Sequence, residues 1–157
     1  MLETAARLPS LSEIQSAAES IYRFMQPTPQ YAWPLLSERL GTEVWVKHEN
    51  QTPTGSFKAR TAVVLVDELM RREPQTRGLT TARRIPSSVR VTDDEVEAAM
   101  RHFFTDTHNV VEGAGAAGLA ASLQEKEQLC EKRVAVVATG ANVDRDVFAR
   151  VLMGESL

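Results

Sequence analysis

The strongest chemical signal in the chain is a lysine placed where its amine could attack a carbonyl. Lys58 closes the run Thr54-Gly55-Ser56-Phe57-Lys58 and stands just ahead of an apolar segment, residues 62–70, that reads as a helix. Gly55 lets the backbone turn sharply before it. The positive end of a helix dipole at this position would disfavour an ammonium, which is the expectation for a reactive amine. With a reference value near ~10.4, only about one lysine in ~2,500 is neutral at pH 7, so a downward shift raises the reactive fraction directly. The same residues invite a phosphate-loop reading, but the Gly-x-x-x-x-Gly-Lys-Ser/Thr spacing is not there. His48, His102 and His108 are scattered without metal-ligand spacing and read as structural or surface residues, so no metal site is expected. Cys130 is the only cysteine, which rules out an intrachain disulfide and fits a reducing cytoplasm.

Several elements must hold Lys58. Upstream, Ser10-Leu11-Ser12-Glu13 is a capping box that starts a helix over about 11–25, ended by Pro27 and Pro29. A short helix, 35–40, closes on Gly41 as a C-cap. Val44–Val46 reads as a strand leading into the polar turn Asn50–Gly55. After the lysine helix, Leu79–Thr81 reads as another short strand. Thr92-Asp93-Asp94-Glu95 is a second capping box, and Val110–Val111 a third short strand. Gly113-Ala114-Gly115-Ala116-Ala117-Gly118 satisfies the dinucleotide pattern Gly-x-Gly-x-x-Gly. The strand before it is short and no ribose-binding acid follows at the expected offset, so close helix packing is the better account. Arg133–Ala138 is the clearest strand, and its apolar run predicts a central parallel strand buried on both faces. It ends in Thr139-Gly140-Ala141-Asn142, where an α/β sheet places ligands. Taken alone, Thr139 reads as a turn-initiating threonine. A last helix spans 145–152.

The chain has 157 residues, 43% hydrophobic and 25% charged, with a net charge of −3. This fits one globular domain, with blocks 1–82 and 89–154, and suggests neither nucleic acid nor an anionic membrane as partner. No apolar run approaches the ~20 residues needed to span a bilayer, and Met1–Pro9 has no apolar signal core, so a cytoplasmic protein is expected.

The segment Glu49-Asn50-Gln51-Thr52-Pro53-Thr54-Gly55-Ser56-Phe57-Lys58 resembles the cofactor-lysine segment of pyridoxal-phosphate enzymes of the tryptophan-synthase-β type (fold type II). Within them it is most similar to threonine and serine dehydratases, or ammonia-lyases. Thr28-Pro29 sits where those enzymes carry a Thr-Pro pair. Thr139-Gly140-Ala141-Asn142-Val143-Asp144 matches their Ser/Thr/Cys-Gly-Gly-Asn-Val-Asp, with Ala141 in place of a glycine. The resemblance runs over about 11–82 and 89–154. It breaks near 81–88, where the family continues into a Gly-Asn-His-Gly loop that holds the substrate carboxylate. No Gly-Asn-His-Gly occurs in this chain. None of its eight glycines is adjacent to another, so the glycine-rich phosphate cup is missing as well.

The resemblance implies an α/β, helix-rich fold: a truncated parallel-sheet remnant of the large domain, with an internal deletion near 81–88. It implies pyridoxal 5'-phosphate as cofactor, weakly bound. Lys58 would form the Schiff base and take the α-proton, Thr139 would meet the pyridine nitrogen, and Phe57 would pack beside the ring. The parent reaction is β-elimination of water from a hydroxy amino acid, followed by release of ammonia and a 2-oxo acid. The two missing loops imply impaired or absent turnover. The competing reading is a non-catalytic remnant or oligomerisation module, and the apolar edges left by missing strands favour a homo-oligomer.

Overall fold

The computed structural model describes residues 8–72, Gln75 and 89–155. The chain divides into two compact units, Met1–Pro27 with Arg60–Thr80, and Thr28–Ala59 with Thr81–Leu157. In the first unit, α1 (Leu11–Tyr22) starts on the expected capping box: the Glu13 amide donates to Ser10 Oγ, and the Ser10 amide donates to the Glu13 carboxylate at 2.7 Å. α3 (Lys58–Arg72) begins in the second unit and continues through the first. Ser20 on α1 donates to the Asp67 carboxylate on α3 at 2.9 Å. Neither helix contains a buried residue, and Leu11, Ile14, Val66 and Met70 are exposed.

The second unit carries a three-stranded sheet in the order β1-β2-β3, made of β1 (Gln30–Ala32), β2 (Glu43–Lys47) and β3 (Arg133–Val137). β2 and β3 run parallel, with Val44 opposite Val134 and Val46 opposite Val136. β1 runs antiparallel to β2 and has no counterpart in the expected strands; it is short and its side chains are exposed, so it lacks an apolar signature. The sheet is therefore mixed rather than wholly parallel. α2 (Pro34–Leu40) ends on Gly41 in the left-handed conformation, φ 75°, as the C-cap pattern predicts. α4 (Asp93–Thr107) starts on the second capping box; α5 (Gly113–Gln124) and α6 (Arg145–Met153) follow.

One face of the sheet forms the core. Val44, Val46, Val134 and Val136 join Leu36, Leu40, Met100, Phe103, Leu119 and Val151 from the helices. The expectation that β3 is central and buried on both faces is corrected. It lies at the end of the strand order, and its pleat alternates: Val134 and Val136 are buried, while Arg133 and Ala135 are exposed and Val137 is 44% exposed. A single helical layer covers every second residue, and the apolar composition of the others does not change that. Val110–Val111 is also corrected: it belongs to no strand. The Val110 carbonyl accepts from the Asn50 side chain instead of from a neighbouring strand. The expected strand Leu79–Thr81 and the seam at 81–88 lie outside the described residues.

The small residues of α5 serve close packing. A Cβ on Gly115 would stand 2.7 Å from Val111 Cγ1 and 2.8 Å from the Gly140 carbonyl oxygen. No ordinary side chain fits there, which accounts for one glycine of the dinucleotide-like pattern without any nucleotide.

Candidate functional site

The Lys58 turn is built from local hydrogen bonds. After β2 the chain makes a 3₁₀ turn at Glu49–Gln51. Thr52 then clasps Ser56 in both directions: its hydroxyl donates to the Ser56 carbonyl at 2.8 Å and accepts from the Ser56 amide at 2.9 Å. Gly55 adopts φ 65°, a conformation that favours glycine, and a Cβ there would lie 2.9 Å from Asn142 Oδ1. Lys58 is the first residue of α3, with its side chain exposed. Upstream, the buried Glu49 carboxylate accepts from Thr28 Oγ1 at 2.6 Å, and Lys47 Nζ donates to the Thr28 carbonyl at 2.6 Å. These bonds tie the Thr28-Pro29 segment to the end of β2.

The Thr139 turn pairs with this loop. The Phe57 amide donates to the Thr139 carbonyl at 2.9 Å, and the Ala141 amide donates to the Gly55 carbonyl at 2.9 Å. Ser56 and Gly140 form an antiparallel bridge, and Asn142 Nδ2 donates to the Thr54 carbonyl at 3.1 Å. Phe57, Lys58 and Thr139, the residues singled out in sequence, therefore stand on two directly bonded backbones. Phe57 is 38% exposed and Thr139 half-buried. Neither the Lys58 ammonium nor the Thr139 hydroxyl has a partner among the described residues.

Sequence reasoning missed Glu112. Its amide donates to the Gly140 carbonyl at 2.9 Å, and a Cβ on Gly140 would run into its carboxylate. The glycine-rich helix that follows drew attention to itself and away from the acid before it. The same contact explains why Ala141 is tolerated where the family pattern has glycine: Ala141 has no positive φ, and the crowded position is Gly140. His48 is fully buried, as a structural histidine should be, and its Nε2 accepts from Trp33 Nε1 at 3.0 Å. Burial holds it below the usual imidazole range, with Asn50 opposing and Lys47 reinforcing the shift. His108 caps α4 in the left-handed conformation. A cleft of about 410 Å³ lies elsewhere, walled by Asp93, Asp94, Glu97 and Met100; Lys58, Phe57 and Thr139 do not line it. No helix among the described residues is long and apolar enough to cross a membrane.

Comparison with known proteins agrees with the motifs. The profile of the family described as "Pyridoxal-phosphate dependent enzyme" matches residues 21–84. An L-threo-3-hydroxyaspartate ammonia-lyase of a Pseudomonas species is 41% identical over 64 residues, which is 41% of this chain and 20% of that protein. A biosynthetic L-threonine dehydratase of Haemophilus influenzae is 34% identical over 59 residues, 38% of this chain and 12% of that protein. The matched stretch thus spans a fifth or less of the length of these curated relatives. Among solved structures, a pyridoxal 5'-phosphate-dependent aspartate racemase superposes with TM-score 0.61 at 13% identity, covering 88% of this chain and 98% of that one. Maize serine racemase gives 0.58 at 12% identity, covering 90% of this chain and 97% of that one. At such identity the likeness is one of fold.

Proposed function

We propose, from the match of residues 21–84 to the profile of pyridoxal-phosphate dependent enzymes, that the chain retains the cofactor-lysine part of a hydroxy amino acid dehydratase. In this reading it takes up pyridoxal phosphate weakly on Lys58 and does not turn over substrate. The observation that carries the proposal is the bond from the Phe57 amide to the Thr139 carbonyl, 2.9 Å, which holds the lysine and the threonine side by side.

When bound, pyridoxal phosphate supplies an electron sink for bond breaking at the α-carbon of an amino acid. Lys58 Nζ would be the covalent anchor and, in the parent reaction, the base for the α-proton. Thr139 Oγ1 would meet the ring nitrogen without protonating it. Phe57 offers apolar surface beside the ring. The sequence has no glycine-rich cup for the phosphate dianion and no Gly-Asn-His-Gly loop for a substrate carboxylate. Hydrogen bonds to a charged group are worth about 1.5–3 kcal/mol each. Loss of several weakens binding by orders of magnitude, since each ~1.4 kcal/mol is tenfold. Without the carboxylate loop the reacting bond is not oriented, and turnover is lost with it.

The test is to titrate pyridoxal phosphate, reduce with borohydride and map the modified lysine by mass spectrometry. Preferential labelling of Lys58 is expected; even labelling of Lys47, Lys58, Lys126 and Lys132 would sink the proposal. A 2-oxo acid assay on serine and threonine should read zero. Steady product abolished by Lys58→Ala would mean a working lyase.

A further inference from the structure

We propose that Asn50 is the positioning residue of the site: its side chain locks the Glu112 segment, and its backbone amide the Thr139 segment, to the Lys58 loop. The exchange arm of the test below stands apart from the proposed function; the labelling arm rests on it.

Asn50 is buried at the start of the Lys58 loop and bonds two segments that are remote in sequence. Its backbone amide donates to the Ala138 carbonyl at 2.8 Å, immediately before Thr139. Its side-chain Nδ2 donates to the Val110 carbonyl at 3.1 Å, shortly before Glu112. The Glu112 amide in turn donates to the Gly140 carbonyl at 2.9 Å. The bonds close a ring that runs from Asn50 to Val110, along the chain to Glu112, across to Gly140, and back through Ala138 to Asn50. Phe57 and Ala141 attach the lysine end of the loop to the same turn.

The orientation of the Asn50 amide is dictated from both sides. With Nδ2 on the Val110 carbonyl, the alternative flip would set two acceptors against each other. Oδ1 of Asn50 and Nδ1 of His48 are buried side-chain atoms without a partner among the described residues. Because His48 Nε2 accepts from Trp33, the neutral ring carries its proton on Nδ1. One atom is thus an acceptor and the other a donor, and the Asn50 side chain acts on the His48 ring. Joined directly or through one water, they leave no buried orphan. The chain Trp33, His48, Asn50, Val110 then reads as a single polar relay with each donor assigned. A residue needed only to fill space would not require this assignment.

The test uses Asn50→Asp, which keeps the shape and removes the donor, with Asn50→Ser as a second variant too short to reach Val110. Amide hydrogen exchange is read at Phe57, Glu112 and Ala141, with Val46 and Val136 in the sheet as internal references. Loss of one well-made bond predicts exchange about tenfold faster at the first three residues and unchanged rates at the references. Equal acceleration at all five, or none, overturns the proposal. In the unsubstituted chain the Asn50 side-chain amide protons should exchange slowly, and exchange at the free-amide rate overturns it without any variant. Labelling by pyridoxal phosphate and borohydride adds a second arm, in which the preference for Lys58 should fall in Asn50→Asp. If the unsubstituted chain shows no such preference, the proposed function fails while the exchange rates still decide the role of Asn50.

Discussion

Two glycines of α5, one turn apart, should respond in opposite directions to the same substitution. Alanine has the higher helix propensity, so replacing a mid-helix glycine contributes up to about 1 kcal/mol of stability. At Gly118 the added Cβ would meet Val136 Cγ1 at 3.4 Å, an ordinary contact, and the gain should survive. At Gly115 the added Cβ would stand 2.7 Å from Val111 Cγ1, 2.8 Å from the Gly140 oxygen and 3.1 Å from the Gly140 nitrogen. Two of those three atoms are backbone and cannot rotate away. Overpacking of this kind typically costs about 1–3 kcal/mol. Gly115 is the third residue of α5, where the mid-helix gain is small, so Gly115→Ala should keep most of the overpacking cost, roughly 1–2 kcal/mol, and Gly118→Ala should gain roughly 0.5–1 kcal/mol. The assay is urea unfolding. With a slope of ~1–3 kcal/mol/M, the midpoint should fall by about 0.5–1 M in the first variant and rise by a few tenths in the second. Because Gly140 is bonded into the Thr139 turn, Gly115→Ala should also reduce labelling of Lys58 by pyridoxal phosphate. A Gly115→Ala midpoint at or above that of the unsubstituted chain would refute the close approach of α5 to the Thr139–Gly140 turn.

Arg39 and the buried Asp106 form a two-point ion pair at 2.6 and 2.9 Å. Arg39→Met leaves that carboxylate buried and unpaired and should cost about 3 kcal/mol by urea unfolding, while the added change Asp106→Leu should recover most of it. Burial holds His48 and His102 below the ordinary imidazole value of 6.5. The unfolded chain therefore binds protons that the folded chain does not, so stability should be constant above about pH 7 and fall as pH drops through 6.5 toward 5. His48→Asn should flatten that slope; an unchanged slope would mean that His48 is not its source. Thr139→Val removes the hydroxyl and keeps the shape, so labelling of Lys58 should fall with the urea midpoint shifted by less than ~1 kcal/mol of stability.

Several elements were legible because their cause is local. Ser10 with Glu13, and Thr92 with Glu95, make both capping boxes within one turn of helix, and α1 and α4 begin where those residues predict. Gly41 stops α2 because a left-handed residue is needed there. β1 was invisible because Gln30–Ala32 has no apolar alternation; it pairs with β2 as the chain leaves Pro29, whose carbonyl accepts from the His48 amide at 3.0 Å. The sidedness of β3 was misread because Ala135 and Val137 have the composition of core residues, and only the number of helical layers decides whether they are covered.

The residue types around Lys58, a glycine that bends the chain and a threonine that clasps the serine before it, were written in one short run, and so was the likeness to the family whose profile matches residues 21–84. Propensity, capping and turn chemistry act over a few residues, so sequence alone determines them. The partnership of Lys58 with Thr139 was a matter for the tertiary structure. Those residues are far apart in the chain, and they meet because β2 and β3 run parallel in register and deliver both turns to the same end of the sheet. Glu112 and Asn50 were hidden for the same reason. A carboxylate before a helix and an asparagine in a turn are common, and they acquire a role only when packing closes Val110, Ala138 and Gly140 around them. Long-range contacts of this kind depend on the summed burial of the core, which no single stretch of sequence displays.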